Sequence, residues 1–176
     1  IINKGKITIS AFSDDHLYVS GIATQNIKSI YNNVVNEGEI EVTSAAKSNN
    51  SIMVGGVFAW ASGTGITAAG PVRNSGNITV KGVGAEVYVA GVNGKHCTTA
   101  MNTYVNTGDI AVERVAGSTY PIHVGGIAAT IDANATVNLE NAKCYCSIRV
   151  DDDPNTHMGW ITGAVRSENF IAKNCE

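Results

Sequence analysis

The sequence predicts an all-β fold: a right-handed parallel β-helix (β-solenoid) of about five coils, each about 35 residues long and carrying three strands. Three observations lead there. Apolar pairs recur at a fixed step, Leu17 and Val19, Ile52 and Val54, Val87 and Val89, Ile122 and Val124, each pair 35 residues after the last. A second signature, Asn-x-Gly-x-Ile-x-Val, interleaves with the first at Asn3, Asn36, Asn74 and Asn106. Composition agrees: 19 Gly against 3 Pro, with Val, Ile, Thr and Asn frequent and Leu scarce, favours short strands joined by turns. No helical period of useful length competes with this pattern.

The Ile-x-Val segment supplies the first strand of each coil. Ile7 and Ile9, Ile40 and Val42, Ile78 and Val80, Ile110 and Val112, and Ile148 and Val150 share one face, and Thr8, Glu41, Thr79, Ala111 and Arg149 take the other. That period of two is the mark of a half-buried strand. The isoleucines Ile7, Ile40, Ile78, Ile110 and Ile148 are 33, 38, 32 and 38 apart, so insertions fall in the connections while the strands hold their length. The second strand is the glycine segment, whose apolar pair runs into Ser20-Gly21, Gly55-Gly56, Ala90-Gly91 or Gly125-Gly126 and then into Ile22, Val57, Val92 or Ile127. A looser fifth copy spans Gly159 to Ala164. The third strand is a weaker apolar segment ahead of each Asn: Ile27 to Val35, Ile66 to Val72, Met101 to Val105, Val137 to Leu139, and Phe170-Ile171.

Stacking brings equivalent positions to about 4.8 Å, Ile over Ile and Val over Val, and each buried aliphatic contributes roughly 1.5–3 kcal/mol. Gly pairs let the strand bend or let another backbone approach. A column of Asn side chains can hydrogen-bond along the axis. Two coils of about 17 residues per repeat would stack unlike signatures and rank second. The right-handed sense rests on the preference of parallel crossovers. Residues 1–176 form a single repeat domain, read as a piece of a longer chain because repeat arrays require polar caps.

A formal net charge of −3, with twelve Lys and Arg scattered without a run, argues against nucleic acid as a partner. No apolar stretch in this fragment approaches the roughly 18 residues of a membrane span.

The run Ile30-Tyr31-Asn32-Asn33-Val34-Val35-Asn36-Glu37-Gly38-Glu39-Ile40, followed by Val54-Gly55-Gly56-Val57, resembles the GLUG-type and related Gly-rich repeats of large bacterial surface proteins. Lys143-Cys144-Tyr145-Cys146-Ser147-Ile148 and Lys173-Asn174-Cys175 look like divergent copies, and the resemblance covers nearly the whole chain. It implies an extracellular β-solenoid stalk or adhesin-like region of a secreted or cell-surface bacterial protein. No family catalytic residues exist to carry over, and no cofactor is implied.

The candidate ligand or partner surface is the residue between the two inward aliphatics of the glycine segment: Tyr18, Met53, Tyr88, His123 and Trp160. These are expected to form one outward column, an apolar strip suited to sugar rings or to a host or partner protein. Cross-strand aromatic stacking is the plain alternative. Catalysis on polysaccharides needs clustered carboxylates, and here they are dispersed. Asp14-Asp15 and Asp151-Asp152-Asp153 read as solvated turns, without the repeated glycine and aspartate pattern of calcium-binding nonapeptides. His16, His96, His123 and His157 lie on separate segments with no zinc spacing, so no metal site is assigned. Cys97, Cys144, Cys146 and Cys175 are even in number. Cys144 stands in the Asn position, and Cys175 is a candidate for that position in the next coil. A disulfide between adjacent coils and buried free thiols both remain open, while Cys144-x-Cys146 is not read as a redox motif, because it lacks the two-residue spacer and the helix that lowers a thiol pKa.

The expected function is non-enzymatic: a rigid spacer or adhesive surface, partnered by glycan, host protein or adjacent domains of the same chain. A carbohydrate-binding module using the aromatic column and a polysaccharide-active enzyme fragment are the alternatives, and all three share one fold.

Overall fold

The computed structural model describes residues 1–11, 15–25, 29–30, 33–44, 50–62, 67–68, 70–97, 100–132, 137–151, 153–167 and 169–176. Within them every regular element is a β-strand, all pairing is parallel, and the strands stack as a β-solenoid of about four turns. Of the residues singled out from sequence, Asp14, Ile27, Tyr31, Asn32, Ile66 and Asp152 lie outside the described residues.

Four five-stranded sheets run along the axis. Sheet A holds Ile2–Asn3, Val34–Asn36, Val72–Asn74, Tyr104–Asn106 and Lys143–Cys144. Sheet B holds the Ile-x-Val strands Ile7–Ala11, Ile40–Ser44, Ile78–Val83, Ile110–Arg114 and Ile148–Val150. Sheet C carries the glycine segments Leu17–Ser20, Ser51–Gly55, Glu86–Ala90, Ile122–Gly125 and Thr156–Gly159. Sheet D carries the strands on the C-terminal side of those segments: Ala23–Gln25, Phe58–Ser62, Asn93–Cys97, Ala128–Ile131 and Thr162–Val165. A fifth position is shared by the pair Ser29–Ile30 and Thr67–Ala68 and by a three-stranded sheet of Ala100–Asn102, Val137–Glu140 and Phe170–Lys173, here called sheet E.

Each period therefore contributes five strands, which corrects the expected three. The glycine segment breaks into two because its Gly pair is a bend: a Cβ on Gly55 would fall on the carbonyl of Phe58. The segment ahead of Asn also breaks, at a corner where Thr103, Asn141 and Asn174 take positive φ of 57°, 55° and 51°. The repeat itself stands as one turn. Leu17 pairs with Ile52, Ile52 with Val87 and Val87 with Ile122 in sheet C, and Ile7, Ile40, Ile78, Ile110 and Ile148 pair in succession in sheet B. Coils of about 17 residues are excluded, because like stacks on like.

The bend between sheets C and D points inward and divides the interior. A Cβ on Gly56 would meet the Asn74 side chain and the Gly91 carbonyl, so this corner presses directly on the Asn column of sheet A. Two cores result. One, between sheets B and C, consists almost wholly of Ile and Val, including Ile40, Val42, Val54, Ile78, Val87, Ile110 and Ile122. The other, enclosed by sheets A, D and E, is mixed and includes Phe58, Tyr104, Ile131, Leu139 and Cys144.

Between the two cores runs the expected asparagine column. Asn3 Nδ2 donates to Asn36 Oδ1 at 2.7 Å, Asn36 to Asn74 at 2.8 Å and Asn74 to Asn106 at 2.8 Å. Each of these amides also donates to the carbonyl two residues on, Asn36 to Gly38 and Asn74 to Gly76 both at 2.9 Å. A buried amide so satisfied avoids a desolvation cost of about 1–3 kcal/mol per unmet group.

Candidate functional site

The outer faces of sheets C and D meet beside the glycine bend, where Met53, Ala59, Tyr88, Ala90 and Ala129 pack as a third cluster. Register places Tyr18, Met53, Tyr88 and His123 in one column, as the sequence predicts. Its next member is His157, which pairs with His123, and not Trp160. The glycine bend sets this register. Gly159 must sit on Gly125, since a Cβ at either position would strike the carbonyl three residues ahead, and His157 then falls two residues before the bend. Trp160 lies in the slot of Gly126, at the end of the column of bends, and is 62% exposed.

The column faces away from both cores, yet most of it is covered. Met53, Tyr88 and His123 retain only 5%, 3% and 2% of their exposure. Sheet D supplies part of the cover: Met53 and Tyr88 cluster with Ala59 and Ala129, and Tyr18 and Trp60 pack against them. The rings stack on one another. Tyr18 lies 5.8 Å from Trp60 with 13° between planes, Tyr88 lies 4.9 Å from His123, and His123 lies 4.9 Å from His157. Stacked pairs of this kind add about 0.5–1.5 kcal/mol beyond area burial. The open strip expected from sequence is thus a largely self-satisfied seam, with Tyr18, Trp60 and His157 as its accessible parts.

Charged groups close the seam from outside. Lys95 Nζ sits 5.7 Å above the Tyr88 ring and 3.0 Å from Asp132. Glu86 Oε1 lies 3.5 Å from His123 Nε2 and 3.6 Å from the Arg166 guanidinium. Burial first, then the Arg166 charge and His157, push the His123 pKa down to about 4, against a smaller opposing pull from Glu86. Burial also holds the Tyr88 phenol above its ordinary value, and Glu86 adds to the effect.

Sequence reasoning misses Trp60, Lys95, Glu86 and Arg166. A signal exists for two of them: Trp60 and Lys95 are paired in sheet D and are 35 residues apart, the same step as the column. It is hard to read because Trp and Lys share no residue class.

The acidic turn near residue 151 has a structural occupation. Asp151 accepts from the Arg114 backbone N–H at 2.7 Å, and Asp153 lies 3.5 Å from the Arg114 guanidinium. That guanidinium also donates to the carbonyls of Ser118 and Tyr120, tying down the connection between sheets B and C. Among the described residues, no three His, Cys, Asp or Glu side chains are grouped to hold a metal ion.

Cys144 does occupy the Asn position, paired with Asn106. Cys175 does not continue it. Glu176 N–H donates to the Ala142 carbonyl and Cys144 N–H to the Glu176 carbonyl, a register that sets Cys175 over Ala142. A Cys144–Cys175 bridge between equivalent positions is therefore not what the register presents. The Cys97 side chain lies outside the described residues.

Compared with protein-family models, curated proteins and solved structures, the chain matches none.

Proposed function

We propose that this chain is a non-enzymatic structural or adhesive repeat region of a secreted or cell-surface bacterial protein, its coils wound in the right-handed sense that parallel crossovers favour. One observation carries the reading. Register is kept like-on-like from Ile7 to Ile148 in sheet B, so a single unit repeats without a break. Such an array transmits position along its axis and presents the same faces at a constant rise. The burial of Met53, Tyr88 and His123 supports a rigid body over a dedicated aromatic binding strip. The resemblance of the Asn-x-Gly and Val-Gly-Gly signatures to bacterial surface repeats supports the location.

A carbohydrate-binding reading keeps one observation in its favour: the stacked Tyr18–Trp60 pair remains partly accessible. Protein-coated beads flowed over a glycan array and over host-cell monolayers separate the readings. Retention on cells or on neither surface fits an adhesive or spacer region. Glycan retention that Trp60→Ala abolishes would replace it with a binding module, and release of reducing sugar ends from a polysaccharide panel would overturn the non-enzymatic reading.

A further inference from the structure

In four successive coils the same side-chain hydrogen bond closes the turn between sheets A and B. The amide of Asn3, Asn36, Asn74 or Asn106 donates to the carbonyl of Gly5, Gly38, Gly76 or Gly108, at 3.2, 2.9, 2.9 and 3.0 Å. The next coil keeps the turn and changes the closure. Cys144 stands over Asn106, and two backbone bonds beyond it, Tyr145 N–H to the Asn106 carbonyl and Ile110 N–H to the Ser147 carbonyl, set Cys146 over Gly108. Both members of the Asn-x-Gly bridge are thus replaced at once by thiols, and their sulfurs are 2.8 Å apart. Neither sulfur is an isolated cysteine on a surface. Cys144 is buried in the mixed core, while Cys146 packs at its edge, partly open to solvent.

We propose that Cys144 and Cys146 are a redox pair, which a low-molecular-weight disulfide oxidises to an intracoil disulfide that closes the turn covalently where the other coils close it with an amide. The distance already present is a short displacement from the roughly 2.05 Å of a disulfide bond. Oxidation proceeds by two exchanges. The pair loses one proton, and exchange of the remaining proton across the sulfur–sulfur contact puts the thiolate on the more open Cys146, which attacks one sulfur of the small disulfide, forming a mixed disulfide and expelling one thiolate. The Cys144 thiolate then attacks Cys146 Sγ, forming the protein disulfide and expelling the second. Two protein thiols have lost two electrons and two protons. The small disulfide has gained both electrons, and its two thiolates take up the protons. The contact also eases the first ionisation, since a thiolate on Cys144 accepts the remaining S–H of Cys146, which pushes the Cys144 pKa down to about 7 and holds that of Cys146 up.

The fold, not the spacing alone, is what brings these sulfurs together. Cys-x-Cys closes a very short loop, so the bridge removes little entropy from the unfolded chain. Its equilibrium constant should instead reflect how firmly the coil presents one sulfur to the other.

Trypsin makes the test direct, because cleavage after Lys143 and Arg149 isolates Cys144 and Cys146 on one hexapeptide free of other cysteines. The whole chain is equilibrated with reduced and oxidised glutathione at graded ratios, alkylated, digested and weighed. The expected product is that hexapeptide, unalkylated and lighter by two hydrogens, appearing at a glutathione ratio about tenfold more reducing in the folded chain than in denaturing guanidinium. A hexapeptide linked to Cys175 or Cys97, or carrying two alkyl groups at every ratio, would overturn the proposal. So would equal midpoints in the folded and denatured chain. The double variant Cys144→Asn with Cys146→Gly, which restores the turn of the earlier coils, should fold and lose the signal.

Discussion

The core between sheets B and C takes Ile or Val in nearly every slot of every coil. The core between sheets A, D and E takes Phe58 in one coil, Asn93 and Tyr104 in the next, and Ala128 and Leu139 in the one after. In the first core a side chain packs on its own copy one coil away, so each slot has a fixed size. In the second, volume is conserved across a coil instead. Phe58 comes with Ala61, while in the same two slots Ala128 comes with Ile131. One molecule thus uses two ways of filling a tube. The mixed core also holds polar groups: the Asn93 side-chain amide donates to His96 Nδ1 at 2.8 Å, and among the described residues the Tyr104 hydroxyl and Asn93 Oδ1 have no partner.

The largest effect should come from removing the wall between the cores. Gly56→Val puts side-chain atoms against the Gly91 carbonyl and the Asn74 amide, neither able to retreat without breaking a ladder. It is expected to cost more than about 4 kcal/mol and to abolish the cooperative urea transition followed by far-ultraviolet circular dichroism. If Gly56→Val folds with wild-type stability, the divided interior is wrong.

Next comes the contrast between the cores themselves. Ile110→Ala opens a hole between fixed neighbours above and below and should lose about 3–5 kcal/mol, toward the upper end of the range for such truncations. Ile131→Ala recreates the Ala61 slot and should lose only about 2–3 kcal/mol, because neighbouring side chains can shift into it. Equal losses in urea melts would erase the distinction between a ladder and a compensated core.

A third test addresses the outer seam that holds sheets C and D together. His123 is neutral when folded, with a pKa near 4, whereas in the unfolded chain it protonates near 6.5. Between those values the unfolded form binds more protons, so stability falls as the pH drops: the contribution is complete above about pH 6.5 and gone below about pH 4. On the order of 2 kcal/mol should disappear between pH 7 and 5, and His123→Gln should flatten that part of the profile. An unchanged profile in the variant would remove His123 from the account.

The smallest effect has the opposite sign. Tyr104→Phe deletes a fully buried hydroxyl that has no partner among the described residues and should stabilise by about 1 kcal/mol or less, read as a higher urea midpoint. A loss of stability would mean that the hydroxyl is engaged.

How much of this is legible differs between the cores for the same reason. On its sheet C side the aliphatic core repeats residue type at a constant step, so periodicity alone locates Leu17, Ile52, Val87 and Ile122 in one column. Sheet D repeats geometry without repeating chemistry: Phe58, Asn93 and Ala128 share a slot that no pattern of hydrophobicity would align. The corner residues Thr103 and Asn141 give no common signal for splitting one apolar segment into two strands. Loose matching of glycines puts Trp160 in the column. The collision that any Cβ on Gly159 would suffer shows which glycine has to match. The seam itself is hidden because an inward bend turns a nominal exterior into a covered face.

The ladder bonds of sheets A to D run along the solenoid axis and connect only adjacent coils. Under tension between the ends of the solenoid, none of the described strands spans its length. It should come apart as a stack of equal loops, each peeled coil releasing about 35 residues, roughly 120 Å of extended chain. A sawtooth of evenly spaced rupture events in single-molecule pulling would then record the repeat length mechanically, and it would make the array a shock absorber that yields by one quantum at a time.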